Sequence, residues 1–249
     1  MKKYLVIGNP IEQSLSPKLH NYWIKKNNLD CIYEKKQLNE SDLKNIVEDI
    51  RKNKINGINV TVPFKKKIIP FLDVLSPDAK QTQSVNTIYK EKNKVFGHNT
   101  DAGGFELALR RTNYNVENKI VFILGAGGVA PSIILALKRM GVFKIILSNR
   151  TKKKALNLKS FFPDLEIVDW GKTPVFNMII NATSLGLKSD DEIKLDYNKI
   201  KKDIFFYDII YNPKKTKFLL KAERSGNQIE NGKMMFLYQA HQAFTVWHK

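Results

Sequence analysis

The run Ile120-Val121-Phe122-Ile123-Leu124 is apolar at every position and passes directly into Gly125-Ala126-Gly127-Gly128-Val129-Ala130. A strand that is buried on both faces reads this way, because a parallel strand lying between helices has no solvent side. The glycines follow the spacing G-x-G-x-x-G/A, with Ala130 at the last position, and an apolar helical stretch from Val129 to Met140 comes next. Strand, glycine turn and helix in this succession confine the chain to a βαβ unit of an open parallel sheet. In such a turn the first glycine permits the sharp reversal and the second lets backbone approach a pyrophosphate. The exposed N–H groups and the positive helix end then hold the anion. Gly125, Ala126, Gly127, Gly128, Val129 and Ala130 are therefore read as dinucleotide contacts.

The next strand, Lys144 to Leu147, ends in Ser148-Asn149-Arg150-Thr151-Lys152 with no carboxylate. A site for NAD would place an acidic residue there for the ribose hydroxyls. A cation stands there instead, so Arg150, helped by Asn149, Thr151 and Lys152, is read as binding the 2′-phosphate of NADP. Pro131 lacks a backbone donor just after the turn, which removes one anion contact but is acceptable in the first turn of a helix.

The rest of the chain reads as alternating α/β. Tyr4 to Ile7 is a strand, and Ser16-Pro17 opens a helix to about Lys26 with Ser16 as N-cap. Ile32 to Lys36 and Ile55 to Val62 read as strands around a helix from Ser41 to Lys52, and Phe64 to Leu72 as a helix that Pro70 shortens. Asn86 to Tyr89 and Lys94 to Phe96 flank a hairpin tip at Glu91-Lys92-Asn93. Beyond Asp101 come a helix from Ala102 to Arg111 and repeated strand-helix units, with later strands at 166–168, 178–180 and 204–207. A helix from about Thr216 is closed by Gly226, and Met234 to Trp247 forms a long apolar terminal helix. The expected organisation is a substrate domain over 1–101, joined by the C-terminal segment 232–249, and a Rossmann-type dinucleotide domain over 102–231.

Composition narrows the functional classes. The 249 residues carry a formal charge of +18, which invites a nucleic-acid reading. Lysine dominates, however, and is scattered through every expected element without aromatic interleaving, so a solvated surface that attracts anionic substrates is the simpler account. A single cysteine, Cys31, excludes an internal disulfide, and the four histidines show no metal-ligand spacing, so no metal is expected. No apolar run approaches the roughly 20 residues of a membrane span, and the start carries no signal-peptide pattern. A soluble, cytoplasmic protein without membrane or nucleic-acid partners is the expectation.

Short polar motifs complete the picture: Gly8-Asn9-Pro10-Ile11, Ser14-Leu15-Ser16-Pro17 with His20-Asn21, Gly57 to Lys65, Val85-Asn86-Thr87 and Gly97 to Asp101. After the glycine turn come Asn149-Arg150-Thr151, Asn181 to Gly186, Tyr211-Asn212-Pro213 with Thr216, Asn231-Gly232 and Tyr238-Gln239-Ala240. In this order they span nearly the whole chain, which resembles the shikimate dehydrogenases, the NADP-linked enzymes of the shikimate pathway in aromatic amino-acid biosynthesis. The resemblance implies reversible reduction of 3-dehydroshikimate to shikimate.

It also implies roles for individual residues. Lys65 matches the general acid/base, with Asp101 as its partner. Oxidising a secondary alcohol needs a group that removes the O–H proton while hydride leaves the carbon. An enclosed pocket disfavours the ammonium form while a neighbouring carboxylate favours it, and the sequence leaves that balance open. Ser14 and Ser16 match the positions for the substrate carboxylate, with Tyr211 reaching from the nucleotide domain, and Thr61, Asn86, Asp101 and Gln239 match those for the ring hydroxyls. Thr183 and Gly232 match the nicotinamide side. A pocket fed from both domains implies hinged closure on binding. Gln83-Ser84 departs from the family's usual Gly-Ala and Gln13 from a frequent histidine, the first putting the local turn in doubt. Two rivals stand beside this reading: a broader quinate/shikimate dehydrogenase using NAD, and a basic nucleic-acid-binding or regulatory protein that keeps the fold without activity. Oligomeric state is not legible, and a homodimer is compatible with all of the above.

Overall fold

The computed structural model describes residues 1–197 and 200–248. Lys249, the last residue of the expected terminal segment, lies outside them. The chain forms two compact units, Met1–Ala102 with Gln239–Lys249, and Gly103–Tyr238.

The first unit is built on a mixed six-stranded sheet in the order β2-β1-β3-β5-β6-β4, comprising β1 (Lys2–Gly8), β2 (Cys31–Gln37), β3 (Gly57–Val60), β4 (Val74–Leu75), β5 (Thr87–Glu91) and β6 (Lys94–His98). β1 runs parallel to β2 and β3, whereas β5 is antiparallel to both β3 and β6. The β5–β6 turn is the expected hairpin. Glu91 pairs with Lys94, and Lys92 and Asn93 both take positive φ, 47° and 64°, as a tight two-residue turn requires. Helices α1 (Ser16–Lys26), α2 (Leu43–Arg51) and α3 (Pro77–Thr82) cover the sheet. Leu43, Ile46, Val47 and Ile50 form the buried stripe of α2, as their spacing demands.

Two expectations in this unit need correction. The residue before α1 is Leu15 in helical conformation, so Ser16 is the first helical residue and not its N-cap. The stretch 64–72 is no continuous α-helix: after a single four-residue bond from Ile68 N to Phe64 O its bonds run three residues back, from Ile69 to Lys66, Phe71 to Ile68 and Leu72 to Ile69, and only Ile69–Phe71 is helical, as a 3₁₀ turn. Pro70 cannot donate, and Phe64 and Ile68 are both pulled into the core at 2% and 0% exposure. The position occupied by Gln83 does require an unusual turn. It ends α3 in the left-handed region at φ 48°, which a glycine adopts without steric cost, and its side-chain amide donates to Lys80 O at 2.7 Å.

The second unit is an all-parallel six-stranded sheet in the order β12-β11-β10-β7-β8-β9. Its strands are β7 (Ile120–Leu124), β8 (Lys144–Ser148), β9 (Glu166–Val168), β10 (Met178–Asn181), β11 (Phe205–Asp208) and β12 (Gln228–Asn231). The strand order reverses between β7 and β10, the doubly wound arrangement in which ligands bind beyond the carboxyl ends of those two strands. Helices α5 (Ala130–Arg139), α6 (Lys152–Lys159) and α7 (Lys217–Arg224) belong to this unit, and α7 is capped by the Thr216 hydroxyl accepting from Leu219 N. Helix α4 (Asp101–Arg111) begins in the first unit, and α8 (Lys233–Trp247) belongs to it from Gln239 onward. There, Trp247 donates to Ile88 O at 3.1 Å and packs so closely on Gly57 that any Cβ at that position would enter the indole.

Candidate active site

In the first unit the expected proton-transfer residues meet. Phe64 anchors their loop in the core, a burial worth roughly 2–3 kcal/mol, and Val85 N donates to Lys65 O at 2.8 Å. Lys65 Nζ then lies 2.5 Å from Asp101 Oδ2, the two side chains being 11% and 7% exposed. Asp101 opens α4, whose first amides are capped by Asn99: its Oδ1 accepts from Asp101 N at 3.0 Å and from Ala102 N at 3.2 Å. The other oxygen, Asp101 Oδ1, accepts from Asn86 Nδ2 at 2.9 Å. Asn86 also donates to Gln239 Oε1 at 3.3 Å and to Thr100 Oγ1 at 2.9 Å. Lys65, Asp101, Asn86 and Gln239 thus form one hydrogen-bonded cluster. Thr61 N is tied to Ile7 O, and its methyl packs where a Cβ on Gly8 would have to go. Ser14 Oγ accepts from Ser16 N at 3.4 Å. Such a cluster can orient an amine toward an alcohol or carbonyl oxygen and offer short donors and acceptors to neighbouring hydroxyls. Thr100 and Asn99, which hold Asn86 and Asp101, were not singled out from the sequence; their place in the Gly97 to Asp101 motif was the available signal.

In the second unit the glycine turn joins β7 to α5. Gly125 takes φ +109°, and a Cβ there would strike the Ala182 carbonyl and the Thr183 methyl at 2.7–2.8 Å. Gly127 differs: its φ is unexceptional, and a Cβ would meet only Ala182 O, at 3.9 Å. The fold therefore demands glycine at 125, while at 127 glycine leaves open space beside the turn. That space fits a pyrophosphate laid against the α5 N-terminus. Asn149 serves the turn itself, accepting from Ala126 N at 3.0 Å and donating to Thr151 O at 2.8 Å. Lys152 pairs with Asp169 at 2.7 Å, both well exposed, and Arg150 stands exposed at the end of β8. Thr183 is held by Asn181, whose Oδ1 accepts its N–H at 3.0 Å and its hydroxyl at 2.7 Å. Gly232 has a packing reason of its own, since a side chain there would overlap the Ile209 carbonyl. Tyr211 stacks on Phe236 with ring centres 4.6 Å apart. No group of three or more His, Cys, Asp or Glu side chains suited to a metal occurs among the described residues, and no helix among them is long and apolar enough to cross a membrane.

Comparison with known proteins places these features in a family. Residues 6–88 match the shikimate dehydrogenase substrate binding domain, and residues 106–185 match the shikimate / quinate 5-dehydrogenase family. The chain is 60% identical to the shikimate dehydrogenase (NADP(+)) of Pelagibacter ubique, covering 100% of this chain and 94% of that protein. The crystal structure of shikimate dehydrogenase from Aquifex aeolicus superposes with a TM-score of 0.91 at 41% identity, covering 99% of this chain and 92% of that one. The Thermus thermophilus shikimate 5-dehydrogenase in complex with NADP(H) and shikimate gives a TM-score of 0.90 at 30% identity, covering 99% and 93%.

Proposed function

This chain belongs to the shikimate dehydrogenase family, and on that footing we propose that it interconverts 3-dehydroshikimate and shikimate with NADP, Lys65 moving the alcohol proton and Asp101 orienting it. The observation that supports the roles is the nearly buried pair, with Nζ 2.5 Å from Oδ2. In the reducing direction the Lys65 ammonium gives a proton to the substrate oxygen; in the oxidising direction the amine takes it back. Asp101 holds the amine in one rotamer and presents the same oxygen with a second contact. Bound NADP supplies or receives the hydride. Ser14, Ser16 and Tyr211 are assigned to the substrate carboxylate, and Thr61, Asn86 and Gln239 to its hydroxyls. Residues 1–101 with 232–249 act as the substrate domain and 102–231 as the NADP domain.

The cofactor contacts are the turn from Gly125 to Ala130, Thr183 and Gly232, with Arg150 and Lys152 facing the 2′-phosphate. Asn149 and Thr151 act from behind by fixing the loop that carries Arg150. The reading includes a cytoplasmic enzyme and is compatible with a homodimer. The test is oxidation of shikimate followed by reduced-nicotinamide absorbance with NADP⁺ or NAD⁺, and with quinate as competing substrate. NADP⁺ and shikimate are expected to be preferred. Arg150→Ala should lower the NADP⁺ over NAD⁺ preference by about 10- to 150-fold, the value of a charge-assisted contact. An unchanged preference removes Arg150 from the site.

A further inference from the structure

Behind Asp101 the hydrogen bonds form a chain whose direction can be read from groups that have only one role. The Asn86 backbone carbonyl can only accept, and Asn59 Nδ2 lies 3.0 Å from it. The Asn59 amide nitrogen therefore faces β5, where it also donates to Thr87 Oγ1 at 3.1 Å. Asn59 Oδ1 is thereby turned to the Tyr33 phenol, 2.7 Å away, and accepts its proton. Thr87 Oγ1, already an acceptor, gives its own proton to Asn86 Oδ1 at 3.1 Å. The Thr100 backbone N–H, which can only donate, reaches that same oxygen at 2.8 Å and fixes the Asn86 amide. Nδ2 then points to Asp101. At the far end the Tyr33 phenol gives its only proton to Asn59. Every link donates toward the carboxylate.

The members are all interior: Tyr33 is 1%, Asn59 7%, Thr87 0% and Asn86 3% exposed. Packing does not call for these polar groups. The Tyr33 ring is stacked on His20 at 4.2 Å without help from its hydroxyl, and apolar residues at Asn59 and Thr87 would be buried at lower cost. Aligned donors ending on an anion polarise one another in a dry interior, which holds the anion in one orientation.

We infer that Tyr33, Asn59 and Thr87 are positioning residues, which lock the Asn86 amide and through it the Asp101 carboxylate in the orientation that aims the Lys65 amine. The inference rests on the proton-transfer roles given above for Lys65 and Asp101.

The experiment compares kcat, shikimate KM, the pH–rate profile and thermal unfolding in Tyr33→Phe, Thr87→Val, Thr87→Ser and the double variant Tyr33→Phe/Thr87→Val. Tyr4→Phe, from the same aromatic cluster but outside the chain, is the control and should match the wild type in rate. Tyr33→Phe and Thr87→Val should each lower kcat about tenfold, the scale of a small misplacement of reacting groups, and displace the pH–rate profile. KM should change less than kcat in Tyr33→Phe. Thr87→Ser, which keeps the hydroxyl, should restore most of the rate, and the double variant should be no slower than the slower single, because the chain is already broken. A folded Tyr33→Phe or Thr87→Val with wild-type kcat and profile overturns the inference, as do losses that multiply in the double variant. Should Thr87→Val fail to fold, Tyr33→Phe, which keeps every ring contact, carries the test. Lys65→Ala measured alongside distinguishes the two claims. Normal turnover there removes the underlying roles, whereas lost turnover there with normal chain variants removes only the positioning role.

Discussion

Asp208 is a carboxylate whose ionisation its buried surroundings oppose. It is fully buried, with Oδ1 accepting from Asn181 Nδ2 and Ile210 N, both at 3.0 Å, and Oδ2 from Thr216 Oγ1 at 2.6 Å. Burial pushes its carboxyl up to about 6, against the pull of those three hydrogen bonds. A raised acid holds its proton more tightly in the folded state. The stability it contributes is complete below the ordinary value of 3.8 and is lost as pH rises through about 6. The shift corresponds to about 3 kcal/mol. Asparagine can keep the acceptor at Oδ1 and donate to Thr216 without a charge. Urea unfolding of Asp208→Asn and wild type should therefore show the variant gaining on the wild type by about 2–3 kcal/mol between about pH 4 and pH 7.5, and a constant difference across that range would contradict the assignment. His20 acts from the other side, its imidazole lowered to about 3 first by burial and then by His248, so its contribution is lost as pH falls. At this scale Lys65, Asp101, Asn86 and Gln239 are legible as members of ordered motifs. The roles of Tyr33 and Thr87 are not, even though Thr87 lies in the Val85-Asn86-Thr87 motif, because a tyrosine in one strand and a threonine in another look like ordinary β-formers until their hydroxyls are seen to share one buried chain.

Among the elements, the glycine turn separates what the fold needs from what a ligand needs. Gly125→Ala places a Cβ at positive φ against the Ala182 carbonyl and should cost more than about 2 kcal/mol in unfolding measurements. Gly127→Ala meets open space, so its unfolding should stay within about 0.5 kcal/mol of the wild type while NADP binding weakens. Loss of stability at 127, or unweakened NADP binding there, would contradict the reading. The turn was readable because strand, glycines and helix follow one another without interruption. The 64–72 stretch was not, since its apolar spacing resembles a helix while Pro70 and the pull of Phe64 and Ile68 into the core decide otherwise. β12 escaped notice for the opposite reason: Gln228-Ile229-Glu230-Asn231 is nearly all polar, and pairing with β11 at the sheet edge alone makes it a strand. α3 carries no apolar period and is set by its Ser76 cap, which accepts from Ala79 N.

For the molecule as a whole, 42 basic residues against 24 acidic ones leave an excess that no pairing removes. The exposed pairs that do form, such as Lys138–Asp164 and Lys215–Glu223, are each worth no more than about 1 kcal/mol. The charge therefore bears on solubility and on attraction of anionic substrates, and the fold rests on its apolar cores. The reaction is assigned to one amine and one carboxylate of the first unit, Lys65 and Asp101. Steady-state kinetics of Lys65→Ala with shikimate and NADP⁺ address that assignment most directly. Turnover should fall by about 10²–10⁴-fold, the usual contribution of a general acid or base, with a smaller change in shikimate KM. Turnover close to that of the wild type would contradict it.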